Sequence, residues 1–309
     1  MLPPRVVAGQ PATLAVLGAD GRLAPGVTVD LGKDQRVKTD STGRAFFSAP
    51  SEAGVLLAKA SGASAAALVD PAAPVRTQQG VAIAPVISQS DRFSICGAEF
   101  RGDADANRAR INGDRALVLA ASPECLVVLP GPRTKPGPAK ISIDTPEAQW
   151  MAATTVVSLE FEPPVPPLVP EKKSRLVVRA QGFEKPLAII VENESPGVLR
   201  FLRGDSQEVR TSGGAQNSAS IEVRAIRSGD FSFRGQLIPL PDPDTARRYL
   251  EAAAPLAGRD FQRSVRNLAG RLAHHPRDVS RIRRDLDRIL VVTIAGDFRT
   301  LLEAARAAL

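Results

Sequence analysis

Aromatic residues make up only 4% of the 309 residues, with one Trp and one Tyr, and the chain has just two His and two Cys. Each scarcity closes off a chemistry. Single-stranded nucleic acid is held by rings on which bases stack, and no DNA-reading motif occurs either, so nucleic acid is not an expected partner. Sugar-binding modules commonly present aromatic platforms, and beyond Phe only Trp150 and Tyr249 could serve. The two His are adjacent, His274 and His275, followed by Pro276. Neighbours in sequence point in different directions on a helix, and no Cys, Glu or third His stands at ligand spacing, so no metal is expected. A Ser-His-Asp or Cys-His arrangement would have to use that same pair. The pair therefore reads as a solvated helix end, and no catalytic residue and no cofactor is assigned. Nothing approaches 18 uninterrupted apolar residues, so no transmembrane helix is expected. The opening MLPPRVVAGQ lacks the basic start and apolar stretch of a secretory signal. Either the protein is cytosolic, or this is a mature chain without its signal.

What is present is 43% apolar residue content, 26 Pro and 24 Gly. At about 100 to 200 residues per domain, this length corresponds to two to four domains with real cores. Over residues 3 to 70, apolar residues alternate in Ala12, Leu14, Val16 and in Val27, Val29, Leu31, with turn residues Asp20-Gly21 and Pro25-Gly26 between them. A period of two means half-buried strands. The stretch Asp40-Ser41-Thr42-Gly43-Arg44-Ala45-Phe46-Phe47 carries a polar turn into an apolar strand. Asp70-Pro71-Ala72-Ala73-Pro74 reads as a linker. Beyond it come Phe93 to Phe100, Ala109-Arg110-Ile111-Asn112-Gly113-Asp114, Leu126 to Pro130, and Pro136-Gly137 leading into Ile141-Ser142-Ile143. Asn112-Gly113 suits a type I′ hairpin.

From about 156 to 240 six strands are read: Val157 to Phe161, Arg175 to Arg179, Leu187 to Val191, Val198 to Phe201, Ser220 to Ala225 and Asp230 to Leu237. Turn signals every 8 to 12 residues point to a sandwich. Pro163 to Pro170 lacks the amide donors of a central strand and reads as an edge segment crossing between sheets, with an interdomain spacer as the alternative. After Pro241 the spacing becomes helical, with Phe261, Val265, Leu268, Leu272, then Val279, Ile282, Leu286, Ile289, then Phe298, Leu301, Leu302, Ala305. Three or four helices are expected, as a small antiparallel bundle or packed on the third sandwich.

The D-x-x-G-x-A-x-F segment at 40 to 47 is similar to bacterial Ig-like and carboxypeptidase-regulatory-like sandwiches. The second unit resembles an IPT/TIG domain, with a G-x-x-F strand, a run ending in N-G, an apolar strand closing in L-P, and a P-G turn before the last strand. The expectation is therefore a mainly β chain of tandem Ig-like β-sandwiches followed by a C-terminal α-helical bundle. Its parts would be 1–75 (Ig-like), 81–155 (IPT/TIG-like), 156–240 (third sandwich) and 241–309 (helical). The resemblance implies a bacterial secreted, periplasmic or cell-surface protein, non-enzymatic, acting in adhesion or as a scaffold. Its implied partner is another envelope or surface protein.

Cys96 and Cys125 both fall in the second unit. If that unit is a sandwich, its strands can bring them to disulfide distance, closing a loop of about 30 residues worth roughly 3 to 4 kcal/mol in the chain-entropy model. Two unrelated buried thiols are the alternative. A disulfide would favour an extracytoplasmic location and the signal-less reading.

Asp103-Ala104-Asp105-Ala106-Asn107 opens like a calcium loop with Asp114 at the twelfth position, but Arg108 replaces the turn Gly and Asp replaces the bidentate Glu. It reads as a polar loop. Arg210 to Asn217 is Gly-rich without any phosphate-cradling motif and reads as a mobile strand-to-strand loop. The net charge is +7, and between 259 and 284 eight arginines (Arg259, Arg263, Arg266, Arg271, Arg277, Arg281, Arg283, Arg284) face only Asp260 and Asp278. Such a surface suits anionic lipid, envelope polysaccharide or another polyanion, or is an ordinary solvated face paired with neighbouring acids. Trp150, in an expected loop, is either a ligand platform or a packing residue at a domain junction.

Overall fold

The computed structural model describes residues 1–309 apart from 33–34, 73–79, 98, 166–168, 170–171 and 203. The chain opens with seven strands: β1 (Arg5–Val7), β2 (Pro11–Ala15), β3 (Thr28–Asp30), β4 (Arg36–Lys38), β5 (Arg44–Ser48), β6 (Gly54–Ala60) and β7 (Ala63–Asp70). Five make a sheet in the order β1-β7-β6-β3-β4, and β2 pairs with β5 across from it. Val6, Leu14, Val29, Phe47, Leu56 and Val69 are buried between the layers. The turn into β5 explains the D-x-x-G-x-A-x-F spacing. Asp40 Oδ1 accepts from the Thr42 amide at 2.8 Å, the Thr42 hydroxyl at 2.7 Å and the Arg44 amide at 3.2 Å, and Gly43 takes a φ of +74°. The Thr42 hydroxyl and then the Arg44 amide hold the Asp40 carboxyl below its ordinary range. Ala45 and Phe47 turn inward, and Phe46 faces solvent.

The next strands are β8 (Ala82–Ile83), β9 (Val86–Ser88), β10 (Phe93–Cys96), β11 (Arg108–Ile111), β12 (Asp114–Ala121), β13 (Cys125–Leu129), β14 (Gly137–Asp144) and β15 (Gln149–Val165). β12 serves two sheets. Its start pairs with β11 and its end with β13, across a register shift between Val118 and Ala120 that lets the strand bend. Ile95, Ile111, Leu126, Val128, Ile141 and Ile143 fill the space enclosed. Asn112 and Gly113 have φ of +50° and +87° between β11 and β12, as a two-residue type I′ hairpin requires. The preceding linker begins at the end of β7, and its Ala73 and Pro74 lie outside the described residues.

The first two groups of strands are tied directly. Thr13 of β2 pairs with Ala121 of β12, and its hydroxyl donates to the Gly102 carbonyl at 2.6 Å. Gly102 has no alternative residue: a Cβ there would lie 2.1 Å from the Pro11 carbonyl oxygen. The Ser122 hydroxyl donates to the Arg5 carbonyl, also at 2.6 Å.

The remaining strands are β16 (Lys173–Gln181), β17 (Ala188–Asn193), β18 (Leu199–Phe201), β19 (Ser206–Arg210), β20 (Ser218–Ala225) and β21 (Phe233–Leu237). The expected boundary between 155 and 156 falls inside β15. That strand pairs with β14 from Gln149 to Val156 and with β16 from Ser158 onward, so one strand serves both groups. Sheet β18-β20-β16-β15 faces sheet β19-β17-β21 across Leu176, Val178, Ile189, Val191, Phe201 and Ile221. Pro163 and Pro164 lie at the end of β15, where the register against β16 shifts and a missing amide is tolerated. Pro166, Pro167 and Pro170 lie outside the described residues.

Four helices end the chain: α1 (Pro243–Ala253), α2 (Arg259–His274), α3 (Val279–Val292) and α4 (Asp297–Ala307). Asp242 caps α1, accepting from the Thr245 amide at 3.0 Å, with Pro243 in the first turn. The helices form a bundle, but the expected alternative of packing on the third sandwich is corrected: they cover the outer face of the first sheet. Along β7, Ala67 and Val69 enter the sandwich core, while Ala66 and Leu68 enter the helical core with Leu250, Leu268, Leu286 and Leu302. β6 alternates the same way, Leu56 and Ala58 inward, Val55 and Leu57 toward the helices. This sheet is thus buried on both faces, which period-two alternation permits only when both sets are apolar. Polar contacts frame the seam: Arg248 donates to Asp70 at 2.5 Å and to the Val69 carbonyl at 3.2 Å, and Lys59 meets Asp297 at 2.6 Å.

Candidate interaction surface

Helix α2 buries Val265, Leu268, Ala269 and Leu272, and α3 buries Ile282, Leu286, Ile289 and Leu290. This i, i+3, i+4 pattern fixes which residues face water. Arg259, Arg263 and Arg266 line the open side of α2, and Arg281 and Arg284 that of α3, with Arg277 exposed in the turn between and Arg283 half-buried. Among the described residues, none of these seven has an acidic oxygen within 4.0 Å. Arg271 differs. It donates to Asp285 Oδ2 at 2.7 Å and lies 3.8 Å from Asp278, clasping α2 to α3. The Arg271 hydrogen bond is the main reason the Asp285 carboxyl sits below its ordinary range, with the charges of Arg271, Arg288 and Arg281 adding to it against partial burial. The arginines singled out in the sequence therefore separate into one structural clasp, six exposed cations and the half-buried Arg283.

His274 and His275 are exposed at the end of α2, beside an open cleft of about 820 Å³ that Arg271, Arg277 and Arg281 also line. The Asp-rich loop is organised by the protein itself. Asp103 caps the short turn Ala104–Ala106, accepting from the Asp105 amide at 3.0 Å, and Asp105 meets Arg44 at 2.6 Å. The Gly-rich stretch joins β19 to β20, and buried Asn217 ties it down rather than leaving it loose. Asn217 accepts from the Gly213 amide at 2.8 Å and donates to the Phe183 and Lys185 carbonyls at 2.7 and 2.8 Å.

Cys96 and Cys125 form a disulfide. They are directly paired across β10 and β13, so the strand register itself brings the sulfurs together. Trp150 lies in β15 opposite Ile143, not in a loop; the expected loop ends at Ala148. Its ring is half-buried against the second core, and its buried indole N–H has no hydrogen-bond partner among the described residues.

Sequence reasoning passed over one feature. Val291, Val292 and Ile294, at the end of α3 and in the turn that follows, are 84%, 60% and 88% exposed. The signal was the run Ile289-Leu290-Val291-Val292-Thr293-Ile294, which holds more apolar residues than one buried helix stripe can use.

No family model matches the chain, and a search of curated proteins finds no match. Among solved structures, the chain is similar to SGBP-B from the Bacteroides ovatus mixed-linkage glucan utilization locus, in complex with a mixed-linkage heptasaccharide. Identity is 11%, over 76% of this chain and 72% of that one, with a TM-score of 0.28. Against immunoglobulin domains 1–4 of Sidekick-1 the identity is 12%, over 74% of each chain, with a TM-score of 0.24. Against the I9–I11 tandem of titin it is 10%, over 75% of this chain and 90% of that one, with a TM-score of 0.20. With these scores below 0.5, the architecture rests on the pairings and cores described above.

Proposed function

We propose that this chain is a non-enzymatic, extracytoplasmic interaction protein, an adhesion or scaffold element built from tandem Ig-like modules. In this reading residues 1–75, an IPT/TIG-like 81–155, and 156–240 are the modules, and 241–309 presents the docking surface for another envelope or surface protein. The observation that carries it is the shared core at Leu68. A helical element fused to the sheet by a continuous apolar core is held in fixed orientation, and its arginines then form a rigid recognition face rather than a mobile tail. The disulfide supports the compartment, since such bonds persist where thiols are not kept reduced. The polar groups that sequence alone offered for chemistry, Asp103, Asp105 and Asn217, are engaged in holding loops.

A second reading, an accessory module for envelope polysaccharide or another polyanion, is favoured by the seven arginines that have no acidic partner among the described residues. One experiment separates the two. The immobilised full chain is exposed to an envelope extract, cross-linked and analysed by mass spectrometry, beside a variant with Arg259, Arg263 and Arg266 changed to Gln. Protein cross-links concentrated on α2 and lost in the variant are expected. Retention of carbohydrate alone, released by salt, would support the second reading; equal retention by both proteins would overturn both.

A further inference from the structure

We infer that the exposed end of α3 seats this protein on an anionic lipid bilayer, with an arginine row at headgroup level and an apolar tip below it. This goes beyond the protein-docking reading and uses a different helix face. At 3.6 residues per turn, Arg281, Arg284, Arg288, Val291 and Val292 fall within an arc of about 100° and along about 16 Å of helix, opposite the stripe buried in the bundle. All five are exposed, and Ile294 extends the apolar end. Single exposed apolar residues are ordinary, but three large ones together at a rigid tip call for a partner.

The tip is held in shape by the chain. Arg299 donates to the Leu290 and Thr293 carbonyls at 3.3 and 2.7 Å, and the Thr293 hydroxyl donates to the Ile289 carbonyl at 2.6 Å. Among the described residues the acids beside the row are already engaged: Asp285 takes Arg271 on Oδ2 while Arg288 reaches Oδ1 at 3.4 Å, Asp287 meets Arg306, and Asp278 lies 3.8 Å from Arg271. The row therefore keeps positive charge next to apolar surface.

That combination selects the occupant. A polysaccharide or nucleic acid would reward the arginines and leave Val291, Val292 and Ile294 in water. A second copy joined by a two-fold would bury the apolar tips but set the arginine rows near each other. An anionic bilayer satisfies both parts, with phosphates at the surface and hydrocarbon beneath.

The test is co-sedimentation of the full chain with vesicles of phosphatidylcholine alone and of phosphatidylcholine with about one-third phosphatidylglycerol, at low and high salt. Binding to the anionic vesicles that salt weakens is expected. Changing Arg281, Arg284 and Arg288 together to Gln should lower the partition about 100-fold, at roughly five-fold per arginine. Changing Val291, Val292 and Ile294 together to Ser should lower it by at least about ten-fold. All six positions are exposed, so far-UV circular dichroism should be unchanged and loss of fold is separable from loss of binding. Equal partition into neutral and anionic vesicles overturns the inference. So does full binding by the tip variant, which would leave only a polyanion site, or self-association that the tip variant abolishes without any vesicle binding. Because α2 keeps Arg259, Arg263 and Arg266 in both variants, failure here leaves the cross-linking result on α2 intact.

Discussion

If the helices are fused to the first sheet through its outer face, the side chain that should matter most is Leu68, which is fully buried on β7 in the helical core. Leu68→Ala removes three carbons, worth about 2.4 kcal/mol at about 0.8 per buried methylene. The cavity adds to this wherever neighbours cannot close in, so a total of about 2 to 5 kcal/mol is expected. Collapse is restrained, because Leu68 stands on a strand paired on both sides, to β1 and β6, and faces helices that bring Leu250 and Leu302. Such a loss is a large part of the roughly 5 to 15 kcal/mol that holds a typical domain folded. Urea unfolding followed at 222 nm reports mainly the helices, and the fluorescence of the single tryptophan, Trp150, reports the second core. The variant should lower the 222 nm midpoint strongly and the fluorescence midpoint less. Leu56→Ala, on the neighbouring strand but facing the sandwich core, serves as a control for general sheet damage. A cost below about 1 kcal/mol at 222 nm for Leu68→Ala would refute the claim that this face is the helical seat.

Two further outcomes follow from buried groups. Tyr249, the single tyrosine, is pushed up to about 12 by burial against the first sheet. Its folded pKa is above the unfolded one, so its contribution to stability is complete below about pH 10 and is lost as the pH climbs toward 12. Alkaline titration at 295 nm should show no ionisation near pH 10 while the fold persists, and a midpoint near 10 with native circular dichroism would be inconsistent with the seam. Converting Cys96 and Cys125 to Ser releases a constraint between residues 29 apart and should cost about 3 to 4 kcal/mol in the transition reported by Trp150. An unchanged fluorescence midpoint with and without reductant would contradict it.

Local grammar was legible where a short segment determines its own geometry. The Asp40 turn and the Asn112-Gly113 hairpin are each closed by partners within a few residues, and each forms as read. The disulfide was legible for a related reason, since two cysteines on strands of one unit need only the right register. β19 carries no strand signal of its own, because Ser206-Gln207-Glu208-Val209-Arg210 is polar and half-exposed along its length; its pairing with β17 supplies the strand, not its composition. Thr145 to Gln149 has the composition of a turn, and a turn does occur at Thr145–Ala148, but β15 begins at Gln149 and puts Trp150 on a strand.

The seat of the helices was the least legible element, and the reason is physical. Nothing in residues 243 to 309 names their partner, because an apolar stripe fits any apolar face. The information lay far upstream, in β6 and β7. Val55-Leu56-Leu57-Ala58 and Ala65-Ala66-Ala67-Leu68-Val69 do not alternate between apolar and polar as a sheet with one wet face would. An uninterrupted apolar run in a strand states that both faces are covered, and one cover, β2 with β5, was already available from the flanking sequence. The second cover comes from the helical end, whose apolar stripes pack on Val55, Leu57, Ala66 and Leu68. The same reasoning applies in reverse to Val291, Val292 and Ile294: they exceed what the bundle can bury, so a surface outside the chain is the remaining place for them.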